Sequence, residues 1–177
     1  MDKQIITSHG IVTIRSAQET DALAYRELRL EGLRNHPEAF GSDYAVNLAH
    51  PAAFWTDRVR ITGNERTLYF AVCNDNLIGT CAIVRGDSPK TCHSAFIVGV
   101  YVQPAWRGLG IADGLIAVCL EWAQQQGVKI VKLGVAATNT AAIRRYSKCG
   151  FTVYGIEPQA ICVDGVMYAE LLMARGV

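Results

Sequence analysis

The sequence predicts a mixed α/β (α+β) fold, with a central, mostly antiparallel sheet of six to seven strands and helices on both faces. Three observations predict it. Gly108 and Gly110 join a β-branched run to an amphipathic stretch, and another alternating run follows Gly127. Strand, glycine turn, helix and strand in that order make a parallel crossover unit. Asn74-Asp75-Asn76 and Asp164-Gly165 each sit between alternating apolar runs, the pattern of tight hairpins that join antiparallel strands. A length of 177 residues at 50% hydrophobic content then supplies one substantial core rather than a disordered chain.

The elements follow in chain order. Residues 1–10 read as a loose tail, and Ile11 to Arg15 as the first strand. Ala22 to Glu31 reads as a helix that ends over Gly32–Pro37, and Ala52 to Ile61 as a short helix. Thr67 to Cys73 and Leu77 to Arg85 flank the first hairpin turn, and Cys92 to Val102 is a strand leading into the glycine loop. Gly99, inside that apolar run, marks a bulge. From Leu109 to Gln126, Ile111, Leu115, Val118 and Trp122 recur on one helical face, and Gly127 stops the helix. Lys129 to Ala136 is a strand alternating Val131, Leu133 and Val135. A second helix opens at Thr138-Asn139 with an Asn or Thr N-cap, runs through Tyr146 to Lys148, and ends before Gly150. Phe151 to Tyr154 begins a further strand, and Ala160–Val163 with Val166–Met173 forms the last hairpin. No repeat, low-complexity segment or linker interrupts the chain, so residues 1–177 are expected to form a single domain.

The glycine loop carries the chemistry. The first N–H groups of a helix lack intrahelical partners and share the positive end of the helix dipole, so a pyrophosphate satisfies both. Gly108 and Gly110 let the backbone turn and an anion approach, and Arg107 adds a fixed positive charge. The loop is neither a P-loop nor a dinucleotide fingerprint. Ile111-Ala112-Asp113 follows Gly110 where a P-loop has Lys-Ser/Thr, and Asp113 stands where the fingerprint has its third glycine. Asn139 and Tyr146, seven residues apart, lie on one helix face about 10.5 Å apart along the axis.

From about Phe96 to Val153 the chain resembles the GNAT superfamily of acyl-CoA-dependent N-acetyltransferases. Arg107-Gly108-Leu109-Gly110-Ile111-Ala112 is similar to the family's Arg/Gln-x-x-Gly-x-Gly/Ala pyrophosphate loop. Asn139, Ala142, Tyr146 and Gly150-Phe151 match its Asn-x-x-Ala-x-x-x-Tyr-x-x-x-Gly-Phe pattern. The resemblance implies acetyl-CoA as cosubstrate and a splayed central strand pair. It implies that the backbone from Gly108 through Leu109, Gly110, Ile111 and Ala112 to Asp113 holds the CoA pyrophosphate beside Arg107. Val100, Tyr101 and Val102 would then align the pantetheine arm as an added strand, Asn139 would contact that arm, and Tyr146 would sit beside the sulfur as the catalytic proton donor.

The implied reaction is direct attack of a primary amine on the thioester in a ternary complex. A backbone N–H of the Val100–Val102 strand would stabilise the oxyanion, and a phenol protonated at neutral pH would donate to the departing thiolate. A lysine-like amine, with a pKa of about 10.4, also needs a base. Some relatives carry a glutamate five residues before the asparagine; here that position is Gly134. Glu31, His36, Glu38 and Asp43 are the titratable groups of the N-terminal half that could replace it, with no choice among them. A water chain could also serve, or no base is needed if the acceptor is less basic; the competing class, which Gly134 keeps open, is a non-catalytic acyl-CoA-binding sensor of the same fold.

A net charge of +1 with no basic run gives no electrostatic case for nucleic acid. The six cysteines lack Cys-x-x-Cys spacing and read as small hydrophobes kept reduced in a cytoplasmic protein, and the four histidines supply no zinc-like pairs, so no metal is expected. No stretch approaches the roughly 20 apolar residues of a membrane span or resembles a signal peptide. The expected partner is a small-molecule or peptide amine, and a homodimer is left open.

Overall fold

The structure, a computed structural model, describes residues 2–60 and 63–177. Eight strands form one sheet in the order β1-β2-β3-β4-β5-β6-β8-β7. They are β1 (Lys3–Thr7), β2 (Gly10–Ser16), β3 (Arg66–Cys73), β4 (Asn76–Arg85), β5 (Ser94–Val102), β6 (Ile130–Ala136), β7 (Thr152–Val163) and β8 (Val166–Gly176). All neighbours are antiparallel except β5 and β6, the parallel pair that the crossover predicts. The helices are α1 (Ala22–Asn35), α2 (Tyr44–Leu48), α3 (Ala52–Arg60), α4 (Ile111–Gln125) and α5 (Thr140–Lys148).

Two apolar clusters, one on each face, hold the layers together. Ile111, Leu115, Ile116 and Cys119 of α4 pack with Val12, Ile14, Ile83, Ile97 and Val131 of the sheet. On the other face Tyr25 and Leu28 of α1 and Trp55 and Val59 of α3 pack on Leu68, Phe70, Ala82 and Tyr101. Helices therefore cover both faces, and the sheet is antiparallel but for one pair.

Four expectations need correction. The loose tail is a strand: Lys3–Thr7 pairs with Ile14–Gly10, because Ile5 can pack against the α4 cluster while Gly10 (φ 121°) makes the turn. With β1 included, the sheet has eight strands rather than six or seven. The α1 helix does not stop at Glu31 but runs to Asn35, since Gly32 serves packing: a Cβ there would stand 3.2 Å from Cγ of the Tyr101 ring. The strand expected from Phe151 starts at Thr152 and runs on through Ala160–Val163 as one long β7, with register shifts between Val153 and Gly155 and between Glu157 and Ile161. The short α2 was not anticipated, and Ile61, the expected end of α3, lies outside the described residues.

Both predicted hairpin turns form. Asn74 and Asp75 (φ 47° and 62°) join paired Cys73 and Asn76, and Asp164 and Gly165 (φ 49° and 80°) join paired Val163 and Val166. These left-handed pairs match the twist of the strands they connect.

Candidate active site

The site begins where β5 and β6 part. They pair only from Ser94↔Ile130 to Phe96↔Lys132, and beyond that the two strands separate. Gly99 (φ 65°) lies in a one-residue bulge of β5, since Ala82 pairs with Val98 but Thr80 with Tyr101. The bulge also reverses the facing of the strand. Ala95 and Ile97 belong to the α4 cluster, but after the bulge Tyr101 packs with α1, while Val100 and Val102 keep to the α4 side.

The gap opens into a cleft of about 480 Å³. It brings together Val100, Tyr101, Val102, Arg107, Gly108, Gly110, Ile111, Ala112, Asn139 and Tyr146, all singled out from the sequence. It does not include Leu109 or Asp113. Leu109 packs against the α4 cluster, and the Asp113 carboxylate is bound to Arg145 Nη1 at 2.6 Å, tying α4 to α5.

Gly108 (φ 81°) and Gly110 (φ 80°) occupy the left-handed region, and a Cβ at either would have no heavy atom within 4 Å, so the loop's surface is open to the cleft. Gly110 is the N-cap of α4. A glycine cap brings no side-chain oxygen to the first N–H groups of the helix, which therefore stay available to a bound anion. Arg107 is braced rather than free: Nε donates to Val102 O at 3.0 Å, and Nη2 lies 2.9 Å from His36 Nε2.

On the opposite wall, the Asn139 side chain caps α5 by accepting from Ala142 N at 3.1 Å. Two turns on, Tyr146 is 8% exposed and its ring meets Phe151 edge-on. Burial, followed by Cys81, Cys149 and Cys119 nearby, pushes its phenol far above the ordinary range. The group is therefore protonated at any physiological pH.

The four N-terminal candidates for a base separate clearly. Glu31 lies outside the cleft lining, and its two oxygens accept from Tyr101 Oη at 2.7 Å and Gln103 Nε2 at 2.8 Å. Burial and then that bond push the Tyr101 phenol up to about 12. Asp43 is the N-cap of α2, accepting from Val46 N. His36 and Glu38 do line the cleft, but His36 presents one nitrogen to Arg107 and the other to Glu38 Oε1 at 3.7 Å.

A carboxylate that the sequence reading missed stands behind Gly134: Gly134 lines the cleft, while Glu170, like Glu31, is not itself among the lining residues. A Cβ on Gly134 would lie 2.8 Å from Glu170 Oε2, so a side chain from β8 occupies the space of the absent one on β6. Glu157 is the cross-strand partner of Glu170. Partial burial and then Glu157 raise the Glu170 carboxyl above its ordinary range. The signal was present only in register: Glu170 pairs with Ala136, two residues from Gly134 on the same face, and strand pairing across 34 residues is not readable from local pattern.

Among the described residues no group of three or more His, Cys, Asp or Glu is placed to hold a metal ion, and no helix is long and apolar enough to cross a membrane. The six cysteines are free. Cys73, Cys81 and Cys119 are buried as expected, but Cys92 and Cys149 are partly exposed and Cys162 is exposed.

Comparison with known proteins matches residues 24–151 to the acetyltransferase (GNAT) family. The chain is 29% identical over 159 residues to the L-methionine sulfoximine/L-methionine sulfone acetyltransferase of Salmonella typhimurium, covering 84% of each protein. It is 30% identical over 156 residues to the mycothiol acetyltransferase of Brachybacterium faecium, covering 86% of this chain but spanning only 44% of that protein. Among solved structures, a GNAT-family acetyltransferase from Streptococcus pneumoniae superposes with a TM-score of 0.84 at 19% identity, covering 94% of this chain and 99% of that one. Another, yncA of Salmonella typhimurium solved with its cofactor acetyl-CoA, gives 0.79 at 23% identity and covers 93% of both chains.

Proposed function

The chain belongs to the GNAT acetyltransferase family of acyl-CoA-dependent enzymes, and on that premise we propose that it transfers the acetyl group of acetyl-CoA directly to a primary amine in a ternary complex. One observation carries the reading. A single cleft joins an uncapped helix start behind two left-handed glycines to the gap between parting strands, with a buried tyrosine on the wall.

The loop amides from Gly108 to Ala112 hold the diphosphate, with Arg107 as a fixed cation beside them. Backbone groups of Val100–Val102, freed by the splay, pair with the pantetheine arm, and one N–H faces the thioester oxygen. The neutral amine attacks the carbonyl carbon, the oxyanion collapses, and the C–S bond breaks. Tyr146 donates to the departing sulfur. Its raised pKa makes this first a hydrogen bond, with proton transfer completing as the desolvated thiolate becomes more basic in the same cleft. Glu170, whose raised pKa brings it nearer to neutrality, takes the first proton from the ammonium before attack and later releases it to solvent, and the second proton that the nitrogen loses on becoming an amide restores the Tyr146 phenol.

Relatives named for different acceptors share this family, and the reading names only a primary amine, on a small molecule or a peptide. The sensor alternative would bind CoA without turnover. Incubation with acetyl-CoA and a library of amines tests the proposal: thiol release above the rate without acceptor supports it. CoA binding with no release for any amine would establish the sensor instead.

A further inference from the structure

Among the described residues, three arginines on the α1 and α3 face of the sheet meet no carboxylate. Arg29 Nη1 of α1, Arg58 Nε of α3 and Arg66 Nε of β3 are buried and make no hydrogen bond among the described residues. By contrast Arg15, Arg26, Arg60 and Arg145 each contact a carboxylate. The ionisable groups acting on Arg29 and on Arg66 are Arg58, which repels them, and the Tyr25 phenol; no carboxylate is among them. A guanidinium stays charged at any physiological pH, so burying it unpaired is costly and a counter-anion there is strongly favoured.

Arg29 is not itself among the residues that line the cleft but stands directly behind two of them. Its Nη1 lies 3.8 Å from where a Cβ on Gly99 would stand, and its Cζ lies 4.6 Å above the Phe40 ring. Gly99 and Phe40 both line the cleft, and Gly99 is the bulge beyond which β5 leaves β6. We propose, resting on the acetyl-transfer reading above, that the acceptor is a small amine bearing a nearby carboxylate, as in an amino acid, and that Arg29 binds this carboxylate.

Arg58 and Arg66 supply a positive field behind it, and the Arg29 fork supplies the charge-assisted hydrogen bonds. In an α-amino acid the carboxylate and amine share one carbon, so anchoring the first at the bulge holds the second at the splay, where the thioester would lie. A lysine side chain within a protein and a protein's N-terminal amine both lack that adjacent free carboxylate and would leave Arg29 unpaired.

Matched substrates test this on the unaltered protein: L-methionine against 3-(methylthio)propylamine, and L-phenylalanine against 2-phenylethylamine, each with acetyl-CoA. The acid of each pair should show kcat/KM about 100-fold higher, the size of effect expected from leaving one buried donor unsatisfied. In Arg29→Gln the ratio within each pair should fall toward one, chiefly through KM of the acid, and Arg29→Lys should restore part of it. Equal turnover within the pairs of the unaltered protein, or the same loss for both members in Arg29→Gln, would overturn the proposal.

If no amine is acetylated, the transfer reading fails and the carboxylate site is read separately. N-acetyl-L-methionine and N-acetyl-3-(methylthio)propylamine are titrated into the CoA-loaded protein by calorimetry. Binding of the acid alone, lost in Arg29→Gln, supports the site; equal binding, or none, overturns it. Thermal unfolding of Arg29→Gln at or above that of the parent would show that the variant is folded, as removal of an unpaired buried charge predicts.

Discussion

Tyr146 and Glu170 present opposite cases of how burial tunes a single group. Desolvation raises both. It keeps the phenol protonated and so able to donate, and it makes the carboxylate a stronger base than a solvated one. Tyr146→Phe should lower kcat about 100-fold while leaving CoA affinity nearly intact, measured by thiol release and by titration. Unchanged turnover, with chemistry rate-limiting, would remove the tyrosine from the reaction. A base must be ionised to act, and a raised pKa moves that requirement to higher pH. The kcat/KM profile should therefore show an acidic limb above the ordinary glutamate value of 4.5, and Glu170→Gln should abolish that limb together with most turnover. Because the ionised Glu170 faces Glu157 across the strands, the same substitution should slightly raise thermal stability at neutral pH. Tyr146 was legible because its spacing from Asn139 is local to one helix. Glu170 and Arg29 were not, since their roles come from distant chain segments meeting at Gly134 and at Gly99.

At the level of elements, the glycine loop and the β5 bulge were readable because a positive φ leaves a compositional mark. Gly110→Ala places a Cβ at φ 80°, which costs about 1–2 kcal/mol. It should weaken CoA binding in titration, and unaltered affinity would count against the loop as the phosphate site. The start of α1 falls at Ala22 as its sequence pattern predicts, and an ion pair anchors it. Asp21 accepts from Arg15 Nη1 at 2.7 Å and Nη2 at 2.8 Å, and from Gln18 N at 2.7 Å. Burial opposes ionisation of Asp21, but these bonds outweigh it and hold the carboxyl below its ordinary range. Its contribution is thus present above the unfolded value of about 3.9 and lost as pH falls through the lower folded value. Asp21→Ala, which leaves Arg15 unpaired, should destabilise the fold by about 3 kcal/mol in denaturant titrations near neutral pH. The end of α1 and the whole of β1 were misread for one reason: Gly32 and Gly10 look like punctuation, whereas Gly32 is a packing contact with Tyr101 and Gly10 turns a hairpin.

Across the whole molecule, two apolar clusters grip opposite faces of one sheet, and the cleft lies where the only parallel pair of described strands separates between them. The α4 side presents the glycine loop and Tyr146, and the α1 side presents Tyr101, with Arg29 behind Gly99 and Phe40. Local periodicity revealed both layers of this arrangement, while the pairing of β6 with β8, and hence the placement of Glu170 at Gly134, depended on long-range register. The account stands on the diphosphate grip of the loop at Gly108 and Gly110. Calorimetric titration of CoA beside pantetheine, which lacks the diphosphate, tests it most directly. CoA should bind at micromolar concentrations and pantetheine about 100-fold more weakly or worse, as expected when charge-assisted phosphate contacts are deleted. No uptake of CoA at millimolar concentrations, or equal affinity for the two ligands, would contradict it.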